Sequence, residues 1–80
     1  MVKWVTQNRY RMIDRQSGSV VVVFQSYSGM KPLESCQQAC GELGIELDEG
    51  VYQIDSLKQN TETKGFRWNR IHRFCLEWRG

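Results

Sequence analysis

The residue types that most readily do chemistry in this chain are its three cysteines and its single histidine. Cys36 and Cys40 are four residues apart, which places both thiols on one side of a helix, and His72 precedes Cys75 by three residues. Together they would make the Cys₃His ligand set of a structural zinc ion. The spacings match no common zinc finger, however, and a strand through the second pair would send His72 and Cys75 to opposite sides. We therefore predict no metal site and no cofactor.

The same side chains could form a cysteine nucleophile with its base. Such a site needs a thiol within hydrogen-bond reach of His72 and a third group that orients the imidazole. The sequence contains no glycine-rich phosphate loop, nucleophile elbow or metalloprotease helix. We therefore predict that the chain is not an enzyme, has no catalytic residues and has no small-molecule substrate. A small enzyme built on Cys36 or Cys40 with His72 is the minority alternative.

Charge offers a second kind of chemistry, because it is segregated along the chain. Residues 1–31 hold five basic residues against one acidic residue, and residues 33–57 hold six acidic residues and no basic one. Residues 58–80 hold six basic residues against two acidic ones. Two segments of net charge +4 thus flank a segment of −6, although the whole chain carries only +2. This pattern bears on partners and association rates rather than on fold.

The arginines of the basic segments share one outward side if their two strands alternate regularly. The predicted partner-binding residues are Arg9, Arg11, Arg67, Arg73 and Arg79. Arginine is favoured at interfaces, where its planar guanidinium pairs with carboxylates or stacks on aromatic rings. The alternative function is nucleic-acid binding through phosphate contacts. A third interpretation is that these arginines only keep the outer side of a sheet hydrated and its edges unpaired.

The strand that must position most of them runs from Phe66 to Arg79. Large apolar residues alternate there with mostly charged ones, and this period of two is typical of a half-buried strand. A helix is the alternative, since apolar residues also recur at helical spacing at Trp68, Ile71, Cys75 and Trp78. The strand would exceed the usual five or six residues, so we predict a bulge or break near residues 69–71.

Three further strands and one helix complete the predicted elements. Residues 4–14 form a strand with Tyr10 and Met12 inward, and the four successive valines of residues 19–24 form a second strand. A helix covers residues 32–43, with Gly44 as its left-handed cap. The remaining strand spans residues 51–57.

The fold class that follows is α+β, with a four-stranded, mainly antiparallel sheet and one helix on one face, in the order β-β-α-β-β. Residues 1–80 form a single domain. The predicted strand order is 1-2-4-3, which puts the valine strand and the last strand in the middle of the sheet. The predicted core contains Phe24, Tyr52, Phe74, Leu76 and Trp78.

Two absences and the number of cysteines bear on location. No apolar run approaches the ~20 residues that span a membrane, and the N-terminus lacks the apolar segment of a signal peptide. An odd number of cysteines without an export signal predicts reduced thiols and a cytoplasmic protein.

We predict a small binding protein of the accessory or inhibitor type, encoded by a phage or other mobile element. It acts on a protein or nucleoprotein partner and on no membrane. Nucleic acid is the alternative partner.

Overall fold

The computed structural model describes residues 3–76 and contains the elements in the predicted order. Strand β1 spans Trp4–Asp14, β2 Val20–Phe24, α1 Pro32–Leu43, β3 Gly50–Asn60 and β4 Phe66–Leu76. All three strand pairs are antiparallel and form one sheet, and α1 packs on one face of it. The predicted α+β class is confirmed. Within residues 3–76 no helix is long and apolar enough to cross a membrane.

The order of the strands across the sheet differs from the prediction. It is β2-β1-β3-β4, so β1 and β3 are central while the valine-rich β2 and the long β4 are the two edges. The predicted order 1-2-4-3 is wrong because it assumed that apolar strands are covered on both faces. Instead Val23 remains 53% exposed and Phe66 60% exposed.

The helix begins and ends as its sequence dictates. Pro32 occupies the first turn, and Glu34 Oε2 accepts a hydrogen bond from the Lys31 backbone N–H at 3.3 Å. At the other end Gly44 has φ +68°, and the Ile45 N–H donates to the Cys40 carbonyl at 2.9 Å. The left-handed glycine and this hydrogen bond are the features of a Schellman cap. The predicted helix and its glycine cap are both confirmed.

Replacing Gly44 and Gly41 with alanine should have opposite effects on stability. A Cβ at either position meets no atom within 4 Å, so only the backbone decides. Gly44→Ala should cost about 1 kcal/mol because of its left-handed φ, whereas Gly41→Ala within the helix should stabilise by about 1 kcal/mol. Urea unfolding of the two variants measures both changes. Two changes of the same sign would contradict the observed helix end.

The core lies between α1 and the sheet. Met12 and Ile54 are fully buried in the central strands, and the helix contributes Cys36, Ala39 and Cys40. As predicted, Phe24 and Tyr52 are buried; Phe74 and Leu76 are partly buried against the core, and Trp78 lies outside the described residues. Tyr10 and Met12 face inward as expected.

A bulge divides β4 at the predicted place. His72 pairs with Ile54 and Arg70 pairs with Asp55, which leaves Ile71 as an extra residue between them. The strand interpretation is therefore confirmed over Phe66–Leu76, and the helical alternative is wrong there. Because side chains alternate along a strand, one extra residue reverses which side chains face α1. The reversal determines the composition of the face described next.

Candidate binding face

The face of the sheet that points away from α1 carries no second layer within residues 3–76. We call it the open face. One row crosses all four strands, in the paired order Val23, Arg11, Asp55 and Arg70. The same register places further side chains on it: Val5, Ile13, Gln53, Leu57, Gln59, Phe66, Trp68 and Arg73.

The structure brings together some of the predicted partner-binding arginines and separates others. Arg11 and Arg73 lie on the open face. Arg9 is exposed and lines a surface groove together with Leu57 and Phe66, at the border of this face. Arg79 lies outside the described residues.

Arg67 is on the other side of the sheet, so the prediction that it shares a face with Arg73 is wrong. In the β3–β4 register it lies opposite Lys58, and its guanidinium carbon lies 4.2 Å from the centre of the Trp4 ring. The cause is the extra residue Ile71, which reverses the alternation. The same reversal brings Arg70 to the open face, although regular alternation assigned it to the interior.

A hydrogen-bonded network holds the centre of the open face in place. Asp55 is only 2% exposed, and its Oδ2 accepts a hydrogen bond from Arg11 Nε at 2.9 Å. Gln53 Nε2 donates to Asp55 Oδ1 at 2.6 Å, and Arg15 Nη1 donates to Gln53 Oε1 at 2.6 Å. The Arg11 guanidinium also stacks on Trp68, 4.5 Å from the ring centre. Because each group fixes the next, Arg11 and Trp68 are oriented before any partner arrives.

Among the described residues, the remaining charge on the open face is positive and without an ion pair. Arg70 and Arg73 are exposed, and neither forms an ion pair with any residue in the described part of the chain. Asp55 is the one carboxylate that the register of residues 4–76 places on this face, and it is buried beneath its own partners. Five other acidic residues lie on the helix and the loop after it, while Asp14 ends β1 and Glu62 lies in the turn before β4; the five are Glu34, Glu42, Glu46, Asp48 and Glu49.

Apolar side chains are interspersed with these cations. Val5 is 46% exposed, and with the more exposed Val23 and Phe66 it leaves apolar area open to water. Trp68 and Leu57 are half-buried beside them. Sequence reasoning missed Phe66, Trp68 and Arg70 as site residues. The predicted bulge was the signal that would have found them, since it implies that the first half of β4 faces the other way.

The cysteine and histidine side chains do not converge. Burial, with the neighbouring Cys40 thiol as a smaller cause, raises the pKa of Cys36 to about 12, and burial also raises the pKa of Cys40. Both thiols therefore stay protonated at neutral pH, which makes them poor nucleophiles. His72 lies on the helix-facing side, stacked on Phe74, whereas Cys75 lies on the open face. Among residues 3–76 no three His, Cys, Asp or Glu side chains are placed to hold a metal ion.

The open face thus combines fixed aromatic and arginine side chains, unpaired cations and exposed apolar area. None of these features depends on a cofactor. Comparisons with protein-family models, curated proteins and solved structures find no match to this chain.

Proposed function

We propose that this chain is a small non-enzymatic binding protein whose open face docks on a protein or nucleoprotein partner with an acidic surface. The observation that carries the proposal is a sheet face that, within residues 3–76, has no covering layer and exposes Val23 and Phe66 together with Arg70 and Arg73, two cations without an ion pair among those residues. Water-exposed apolar area next to unpaired arginines is typical of surfaces that bury themselves in a complex.

Exposed apolar area favours a protein over a nucleic acid as the partner. Burying apolar surface is favourable by about 25 cal/mol per Å², and a phosphate backbone gives Val5 and Val23 nothing comparable to pack against. Trp68 and Arg11 are residue types enriched at the energetic centres of protein interfaces. The molecule measures 51 × 28 × 16 Å, so its broad side can supply the ~800 Å² per partner of a standard interface.

The charge distribution supports the choice of an acidic partner. The open face is basic, and the helix on the other side of the molecule presents Glu34 and Glu42 to water. An acidic surface approaching this two-sided molecule is attracted to the open face and repelled from the helix, which speeds correctly oriented encounters. The accessory or inhibitor role and the mobile-element origin remain predictions from the sequence. The cytoplasmic location belongs to the same proposal, with all three cysteines unpaired as its support.

Site-specific photo-crosslinking tests which face meets the partner. A photo-crosslinking amino acid in place of Val23 should form an adduct in lysate of the source cells. The same amino acid in place of Gln37, exposed on α1, should form none. The adduct should persist after nuclease treatment. An adduct from the Gln37 position alone, or none from either position, would contradict the proposal.

Charge reversal provides a second measurement on the same adduct. Arg70→Glu with Arg73→Glu should reduce its yield at least about tenfold, since like-charge contacts at an interface cost several kcal/mol. The melting temperature should fall only slightly: both side chains are exposed and form no ion pair within the described residues, and the one unfavourable contact is between a glutamate at position 70 and Asp55 opposite it. Lys3→Glu with Lys64→Glu makes the same charge change at the tip of the sheet and should have little effect.

Nucleic-acid binding is kept as a second candidate because Phe66, Trp68 and Arg70 lie on one face of the same strand. Exposed aromatic rings beside arginines can stack on unpaired bases while the guanidinium groups contact phosphates. This candidate requires an adduct at the Val23 position that nuclease removes. It also requires an affinity for short single-stranded probes that falls steeply with salt.

A further inference from the structure

Within residues 3–76, the outer edge of β4 is a second surface without a partner. The strand order puts β4 at the end of the sheet, and at 11 residues it is more than twice as long as the opposite edge strand β2, which has 5. Among the described residues, no turn or loop backbone hydrogen bond involves residues 66–76. Backbone N–H and C=O groups along this edge are therefore available to pair with another strand.

The side chains of β4 disfavour pairing of this edge with the same edge of a second copy of the chain. Phe66–Leu76 contains three arginines and His72 but no Asp or Glu. In an antiparallel pair of two copies centred on Arg70, the two Arg70 side chains would lie directly opposite each other. Like charges directly opposite one another destabilise a strand pair. An extended segment with carboxylates opposite these arginines would instead be stabilised by contacts between opposite charges.

The bulge limits where such a segment can pair. Ile71 divides the edge into residues 66–70 and residues 72–76, and each part is as long as a typical strand. The first part presents Phe66, Trp68 and Arg70 on the open face and Arg67 on the other. A strand added at residues 66–70 would therefore widen the open face and place acidic side chains next to arginines on both sides.

We propose that the partner inserts an extended acidic segment as a fifth strand along residues 66–70 of β4. This inference rests on the proposed function, since it states how the partner of the open face attaches. Main-chain hydrogen bonds to the edge would supply affinity, and the arginines on alternate sides would select carboxylates. The arginines and the bulge would at the same time keep the free edge from pairing with itself.

A displayed library of random twelve-residue peptides, selected against the folded full chain, tests the proposal. Enriched peptides should carry Asp or Glu among β-branched residues. Their affinity should fall at least tenfold on Arg67→Glu with Arg70→Glu, and equally when their Asp and Glu are replaced by Asn and Gln. Hydrogen exchange followed by NMR should show slowed alternate amides within residues 66–70 on peptide addition. Amides of residues 20–24, the opposite edge, serve as the internal control and should not change.

Each failure points to one of the two proposals. No enrichment, enriched peptides without acidic residues, or unchanged exchange at residues 66–70 would overturn the fifth strand. A protein adduct at the Val23 position would leave the open face standing in that case. If that adduct is missing as well, the proposed function fails together with the inference.

Discussion

Arg11→Met should lower the free energy of unfolding by about 3–5 kcal/mol, even though Arg11 lies at the surface of the sheet. Its partner Asp55 is 2% exposed, so removing the guanidinium leaves a buried carboxylate whose remaining side-chain hydrogen bond within residues 3–76 is the one that Gln53 Nε2 donates at 2.6 Å. Methionine keeps an unbranched apolar stem beside Trp68, which limits the loss of packing. Urea unfolding followed by tryptophan fluorescence measures the change.

The double variant Arg11→Met with Asp55→Asn separates charge from packing. Without the carboxylate no unpaired charge is buried, so the double variant should be more stable than Arg11→Met alone by about 1–3 kcal/mol. Asn also retains a carbonyl oxygen that can accept the hydrogen bond from Gln53. Equal stability of the two variants would show that Asp55 gains nothing from Arg11. The open face would then lack the fixed centre on which its preorganisation depends.

The elements that the sequence predicted correctly are those that local patterns determine. The apolar stripe that includes Cys36 and Cys40 and the left-handed preference of Gly44 are both contained within the helix and its cap. The break in β4 follows from strand length alone. Each of these signals lies within a few residues, and none needs to know what packs on the second face of the sheet.

What the sequence did not reveal depends on pairings between distant segments. Asp55 and Arg11 are 44 positions apart, and an acidic residue between apolar ones gives no sign that it will be buried. The position of β1 between β2 and β3 likewise depends on long-range pairing, and the apolar content of Val20–Phe24 suggested the wrong order. The bulge shows the limit most clearly. Its location was predictable, but the side of the sheet that Arg67 and Arg70 occupy depends on one unpaired residue.

Ile54→Ala should be the other strongly destabilising substitution, at about 2–5 kcal/mol. Ile54 is 0% exposed at the centre of the helix-facing side, opposite Met12 on β1 and His72 on β4. Truncation would remove three carbon atoms from a core that has few large buried side chains to relax into the space. Ile54→Val should cost only about 0.5–1.5 kcal/mol. A loss at the upper end would leave a domain of this size barely folded, so urea unfolding should be followed by near-ultraviolet circular dichroism at 10 °C.

Val23→Ala is the matched comparison on the open face of the same sheet. Val23 is 53% exposed, so its truncation should cost less than about 1 kcal/mol. If it also weakens the adduct formed by a crosslinker at the Phe66 position, on the same face but on the opposite edge strand, Val23 contributes to partner binding rather than to the core. A cost similar to that of Ile54→Ala would mean that the open face is already covered in the isolated protein. A second copy of the chain would then be the first occupant to test, by measuring the mass in solution.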